Sequence, residues 1–433
     1  MNFKIFVWAI WRKRSPECPQ TIYSAFPLVN HWGQKALDEP EWNVMIGVGF
    51  YCLGVILMTE YTFSAPGRTE IGGNHTDHQH GCVLAAAVNL ETVAQVRLND
   101  LGRIRVWSEG YPPVEIGLED LSVRPEERNT TGALVRGVAA VFAGKGANLR
   151  GFDARVRSSV LPGSGLSSSA AFEVLLGTIF NHLFYEEKCT PVEIAQICQW
   201  VENHYFGKPC GLMDQMASSV GNMVFMDFAD PARPVVERVD FDFASAGHAL
   251  CIIDSGADHA DLTGEYAAIP GELKQLCALF GKTVLREIPE AVFFQKLPEI
   301  RRQVPDRAIL RAIHIYQENR RVVAQVRALR EGDFDRFLAL VTESGRSSWM
   351  YLQNVYPAGA VERQAVAVAL ALCDTLLQGR GAFRVHGGGF AGTVQAFVPV
   401  DLLGTFRAGV ERVLGPGSCH VLSIHPQGGS RVG

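Results

Sequence analysis

The chain has 433 residues, more than one hydrophobic core usually organises, so two domains are expected. Hydrophobic residues make up 47% and charged residues 20%, a globular composition, and the net charge of −5 supplies no basic footprint for nucleic acid or an anionic membrane. Ten cysteines form no C-x-x-C pair, which argues against a zinc ribbon or a disulfide framework and favours a reducing, cytoplasmic compartment.

The N-terminal stretch MNFKIFVWAIWRKRS carries an apolar patch followed at once by charge, with no small-residue cleavage site. NVMIGVGFYCLGVILM, ending at Met58, is apolar for sixteen residues, short for a membrane span. Residues 1–58 are therefore expected to form an atypical, poorly packed extension. YTFSAP, VAQVRL and IRVWSEG alternate as strands do. Between the first two lies Gly67 to Gly81, GRTEIGGNHTDHQHG, which reads as a loop, either a polar surface turn or a ligand loop on a rigid scaffold. Glu126 to Gly144 reads as a helix and FDARVRSSV as a strand. After LPGSGLSSS, residues Ala171, Leu175 and Ile179 recur every four positions, the mark of a helix opening at the serines. Pro191 to Phe206 forms another helix, with proline favourably in the first turn. GNMVFMDF and ALCIIDSG read as strands, and helical patterns cover Asp258–Phe280, Asp306–Glu331 and Phe334–Leu352. GAFRVHGGGFAGTVQAFVPV is strand, glycine turn, strand, and HVLSI is a last strand. Strands and helices without strict alternation indicate an α+β fold.

Four stretches carry chemistry. A glycine-rich turn opening a helix, as at Gly163-Ser164-Gly165-Leu166-Ser167-Ser168-Ser169, presents backbone N–H groups at the positive end of the helix dipole and suits phosphate. An ordinary serine cap needs only one of those hydroxyls. Gly387 to Gly392 allows close backbone approach to a ligand, though a tight hairpin explains it equally. In CGLMDQ, Asp214 lies among small and apolar residues and is either a helix cap or a functional carboxylate. Glu202 lies within the helix Pro191 to Phe206, where a solvated face is the ordinary fate of a glutamate.

Taken in order, GR-x-E-I-G-G-N-H-T-D, PGSGLSSSA, CGLMDQ and GGGFAGT resemble the motifs of the GHMP small-molecule kinases, and within them the galactokinase branch. The likeness runs from about Tyr61 to the closing CHVLSIHPQGG. It implies a two-lobed α+β kinase with its site between an N-terminal sugar- and ATP-binding domain (59–240) and a C-terminal domain (241–433). The implied reaction is ATP-dependent phosphorylation of the C1 hydroxyl of galactose. Another sugar-1-kinase, acting on a galactose derivative or arabinose, and a non-catalytic sugar- and ATP-binding regulator stay open. By position the resemblance implies Gly163 to Ser169 at the ATP phosphates, Ser169 and Glu202 as Mg²⁺ ligands, and Arg68, Asn74, His75, Asp77, Gly211, Asp214 and Tyr266 around the sugar. Asp214 would be the base, or only an orienting group, with Arg68 beside it. The partners implied are a small sugar and ATP, with a monomer or weak oligomer and neither nucleic acid nor membrane.

Two departures stand out. Ala391 occupies a usual glycine position, where a methyl would crowd the backbone. Asn74 stands where the branch has glutamate, and Glu70 where it has asparagine. Losing a charge-assisted bond to the sugar's 6-hydroxyl would weaken binding by about 1 kcal/mol and broaden tolerance at C6, unless Glu70 swings in to replace it.

Overall fold

A computed structural model describes residues 59–161, 165–257 and 262–432. The extension 1–58 and the phosphate-loop residues Gly163 and Ser164 lie outside the described residues.

The first strand, β1 (Glu60–Gly72), is longer than its alternation suggests and runs through half of the glycine- and histidine-rich stretch. Only residues 73–81 form the loop expected over 67–81. Thr69 and Glu70 are buried polar groups in mid-strand, and their partners come from a distant strand, as described below. β2 (Cys82–Asn99) has two halves. CVLAAAV is apolar throughout and buried throughout, whereas ETVAQVRLN alternates as a strand with one wet face does. The first half pairs with a later strand and the second half with another, so one long strand joins two parts of a sheet.

β3 (Arg103–Ser108) and β4 (Val114–Gly117) form a hairpin, and α1 (Thr131–Gly144) follows, capped by Thr130, whose side chain accepts from Ala133 N. β5 (Gly151–Ser158) leads into α2 (Ser168–Phe184). α3 (Pro191–Val201) opens with a Thr190–Glu193 capping box and Pro191 in the first turn. It then widens into a π-turn over Glu202–Phe206, so the expected helix 191–206 is present with its last turn altered. α4 (Met213–Val220), β6 (Met223–Asp227) and β7 (Val235–Val239) complete this half. Among the described residues, β1 to β7 join one eight-stranded sheet, in the order β1-β2-β5-β3-β4 with β6 and β7 branching from β2. α1, α2 and α3 pack over a core that includes Phe142, Phe152, Phe180 and Val201.

β8 (His248–Asp254) begins a second sheet. α5 (Thr263–Ala278), α6 (Glu290–Gln295) and α7 (Leu297–Ile300) precede the long α8 (Asp306–Glu331). α9 (Phe334–Ser347) ends in a π-turn, Ser348–Leu352. α10 (Ala365–Leu377), β9 (Ala382–Val385), β10 (Thr393–Pro399), α11 (Leu403–Leu414) and β11 (Cys419–Leu422) follow. β8 to β11 form a four-stranded antiparallel sheet, ordered β11-β8-β10-β9. The chain ends by returning to the first sheet, where β12 (Ser430–Val432) pairs with β1. Among the described residues, no helix is long and apolar enough to cross a membrane.

Candidate active site

The site is built where β1, the start of α2 and the start of α4 meet. Arg68 is 6% exposed, and its guanidinium grips Asp214 with both prongs, Nε to Oδ1 and Nη2 to Oδ2 each at 2.7 Å. This is the planar fork-on-fork pairing that only arginine offers a carboxylate. The remaining prong, Nη1, donates to Gly165 O, and the backbone N–H of Arg68 donates to Leu166 O at 3.0 Å. One arginine thereby binds the first motif, the phosphate loop and α4 together.

Asp214 lies in the first turn of α4, whose cap position is Leu212, so the carboxylate is not a helix cap. Ser167 Oγ donates to its Oδ2 at 2.7 Å. Burial would raise the Asp214 pKa, but the charge and hydrogen bonds of Arg68, the Ser167 hydroxyl and the Lys208 ammonium outweigh it and hold it below the ordinary aspartate value. The side chain keeps 31% of its surface exposed, so the ionised carboxylate is accessible to solvent.

Asp77 lies near Arg68, and the other residues expected at the sugar hold the loops around it. Asp77 Cγ lies 2.9 Å from where a Cβ on Gly211 would stand, so a side chain at 211 would displace the carboxylate. His75 Nε2 pairs with Gly388 O at 3.1 Å. Burial, followed by the neighbouring His78, pushes His75 down to about 3, so the ring is neutral and Nε2 is the donor. Tyr266, on α5, donates its hydroxyl to Gly389 O at 2.8 Å and sets its ring edge-on to Phe390. The glycine loop 387–392 is thus fastened both to the first loop and to α5. Ala391 fits there because it avoids the left-handed region that Gly389, Phe390 and Gly392 occupy, so its methyl meets no backbone penalty.

Helix α8 fixes the first loop from below. Glu318 accepts from Gly73 N at 3.2 Å, His314 Nε2 pairs with Asn74 O at 3.0 Å, and Asn319 accepts from Cys82 N at 2.7 Å. His314 and Glu318 are one helical turn apart, so one face carries both.

Asn74 requires a correction. Its side chain was expected against the sugar, yet it is fully buried. Its Nδ2 donates to Gly387 O at 2.6 Å and lies 3.3 Å from Glu70 Oε1, while its Oδ1 accepts from Asn354 at 2.8 Å. A saturated amide with no accessible surface does not read a substrate. Glu70 does not swing in either. It is 3% exposed and paired with the fully buried Arg384, Nη2 to Oε1 at 2.5 Å. The Glu70–Arg384 ion pair joins the two sheets, and the Asn74 amide packs beside it.

Ser168 and Ser169 stand in the first turn of α2, half-buried. Leu166 points into the core, so its part is to anchor the loop through its carbonyl. Gly165, at φ 71°, sits against His386, just past β9, and Thr393 of β10, 3.1 Å from each measured from an ideal Cβ. Glu202, at the head of the π-turn, is 3% exposed. Its oxygens accept from Lys208 at 3.3 Å and Gln215 at 2.7 Å. Gln215 also bridges to Glu173 at 3.1 Å, and Glu173 Oε1 is buried without a partner. Burial first, then the charge of Glu202, pushes the Glu173 carboxyl well above the ordinary range. No group of three or more His, Cys, Asp or Glu side chains suited to a metal occurs among the described residues. A magnesium ion takes few protein ligands and completes its shell with water and phosphate, so a single carboxylate and a single hydroxyl are the donor types it would use. Glu173, Arg384 and His386 carry no signal in the sequence that singles them out. Ser167 was grouped with the phosphate donors, but its hydroxyl is spent on Asp214.

The sequence profile for the GHMP kinase N-terminal domain matches residues 133–222, and the galactokinase galactose-binding signature matches residues 58–98. The chain is 33% identical over 351 residues to a galactokinase of Streptomyces coelicolor, covering 80% of this chain and 86% of that one. Lactococcus lactis galactokinase, solved in complex with galactose, superposes with a TM-score of 0.72 at 24% identity, over 86% of this chain and 95% of the other. The mevalonate kinase of Methanococcus jannaschii shares the fold at a TM-score of 0.57 and 12% identity, over 84% of this chain and 98% of that one. With the Arg68–Asp214 pair joining β1 to α4, these matches show that the chain belongs to the galactokinase family of GHMP kinases.

Proposed function

We propose that the protein transfers the γ-phosphoryl group of ATP to the C1 hydroxyl of galactose, giving galactose 1-phosphate and ADP. The observation that carries this reading is the doubly bonded Arg68–Asp214 pair, open to solvent on the aspartate side. A carboxylate has about four acceptor positions. Arg68 takes one on each oxygen and Ser167 takes the second on Oδ2, which leaves one on Oδ1. The sugar hydroxyl donates there.

Phosphoryl transfer depends more on positioning and charge neutralisation than on covalent chemistry. The new bond forms between the sugar's O1 and the γ-phosphorus as the bond to the β,γ-bridging oxygen breaks. Asp214 is a weak base because Arg68 lowers its pKa, so it takes the proton late, once the forming bond has acidified the hydroxyl. Arg68 stays charged throughout and limits the cost of the negative charge beside the phosphates. The loop 163–169 and the N-terminus of α2 hold the phosphates through backbone N–H groups. Mg²⁺, held by Ser169 and Glu202, would neutralise phosphate charge when bound. His75, Asp77 and Tyr266, with the backbone at Gly211, define the sugar side.

A coupled ADP-release assay over galactose, arabinose, galactosamine and a no-sugar control tests the reading. Turnover highest with galactose supports it. Turnover highest with another sugar would replace the substrate. ATP and sugar binding without ADP release would mark a regulator, which would have no need of an exposed, pre-aligned carboxylate.

A further inference from the structure

Ser167 sits where the phosphate loop becomes α2. Its carbonyl accepts the first helical bond, from Ala171 N at 3.2 Å. A serine at that position ordinarily turns its hydroxyl onto an N–H of the first helical turn. Here it does not. Ser167 is in the left-handed region, φ 57° and ψ 66°, and makes no side-chain cap bond. Its hydroxyl is directed across to Asp214 Oδ2, 2.7 Å away. A non-glycine residue is disfavoured in this conformation, and such a residue at a functional site points to a role for its side chain.

We propose that Ser167 is a positioning residue for proton transfer, acting through the Asp214 carboxylate rather than as a ligand of the phosphates. The inference rests on the transfer to a sugar hydroxyl proposed above. Arg68 fixes the plane of the carboxylate but leaves an acceptor position open on both oxygens. Ser167 closes the one on Oδ2, so a hydroxyl arriving in the cleft has only Oδ1 to bond. The same bond ties the base to the loop that holds the phosphates. Gly165 O and Leu166 O are already tied to Arg68 on the other side. The acceptor hydroxyl and the phosphoryl donor are therefore registered to one rigid frame.

Ser167→Ala and Ser167→Gly separate this role from the alternatives. Glycine relieves the left-handed backbone and alanine does not, while both remove the hydroxyl. The readouts are kcat, KM for each substrate, and the affinity for a non-hydrolysable ATP analogue by calorimetry. We expect both variants to lose about ten- to a hundredfold in kcat, with nucleotide affinity kept within about threefold. If glycine keeps kcat within about threefold of the wild type, the serine serves only the loop's backbone and the inference fails. It also fails if nucleotide affinity drops about tenfold while kcat holds, since that makes Ser167 a phosphate ligand. A wild-type protein inactive with every sugar would instead overturn the proposed transfer, and this inference with it.

Discussion

Replacing Arg68 with methionine keeps the volume of the buried stem and removes the cation. Three bonds are lost, two to Asp214 and one to Gly165 O. Breaking a fully buried ion pair by removing one partner costs about 3–5 kcal/mol. Asp214 is 31% exposed, so water recovers part of that and about 2 kcal/mol remains. The orphaned Gly165 carbonyl adds about 1 kcal/mol, for a total near 3 kcal/mol at neutral pH. The loss should depend on pH. The Asp214 pKa is lowered in the folded protein, so its contribution is present above the ordinary aspartate value, about 3.9, and is lost as pH falls through the folded value. The gap between wild type and variant, measured as urea midpoints from pH 7 down to pH 3, should be full at pH 7 and narrow below about pH 4. A gap that stays constant with pH, or one under about 1 kcal/mol at pH 7, would refute the reasoning, because Arg68 would then act through packing alone.

Asn74→Glu sets a second carboxylate beside Glu70 in a buried site where Arg384 already pairs with Glu70, and should destabilise the protein by about 2–3 kcal/mol. The exchange Glu70→Asn with Asn74→Glu should recover most of that loss in a denaturation cycle, and a single variant as stable as wild type would contradict the internal pairing. His75 is pushed down to about 3, so its ring resonances should not titrate between pH 5 and 8 in the folded protein. As pH falls below about 6.5 the unfolded chain takes up a proton the folded one refuses, so this site lowers stability on acidification, and a folded-state midpoint near 6.5 would contradict the account. Gly211→Ala should displace Asp77 and raise KM for the sugar by about tenfold with a smaller change in kcat, and an unchanged KM would remove Asp77 from the sugar's surroundings.

Much of the fold is legible where one period runs long enough. Asp306–Glu331 reads as a helix to the residue, and Phe334–Leu352 holds as helix plus π-turn. Several elements are not legible. α4 has eight residues and no side-chain cap, and AVAVALALCDTLL in α10 is so uniformly apolar that helix and strand cannot be told apart by period. β12 has three residues and exists because β1 offers it an edge. The strand through Arg68 and Glu70 reads as a loop because its polar residues have partners far along the chain, Asp214 and Arg384. The same distance hides part of the site. Arg68 and Asp214 are found through their motifs, but nothing local says that Ser167 turns away from its helix or that Asn74 faces inward. The left-handed backbone at Ser167 has no sequence signal, since serine at a helix start ordinarily caps.

The central claim is that the Asp214 carboxylate, aligned by Arg68, serves the transfer of phosphate to the sugar. The most direct measurement is galactose-dependent ADP release by the wild-type protein and by Asp214→Asn, with folding checked by circular dichroism and galactose binding by calorimetry. Asparagine keeps the shape and loses both the charge and the basic oxygen. The account predicts brisk turnover by the wild type and a fall of at least about a hundredfold in kcat for the variant, with the sugar still bound. A folded variant that binds galactose and turns over at near the wild-type rate would contradict it.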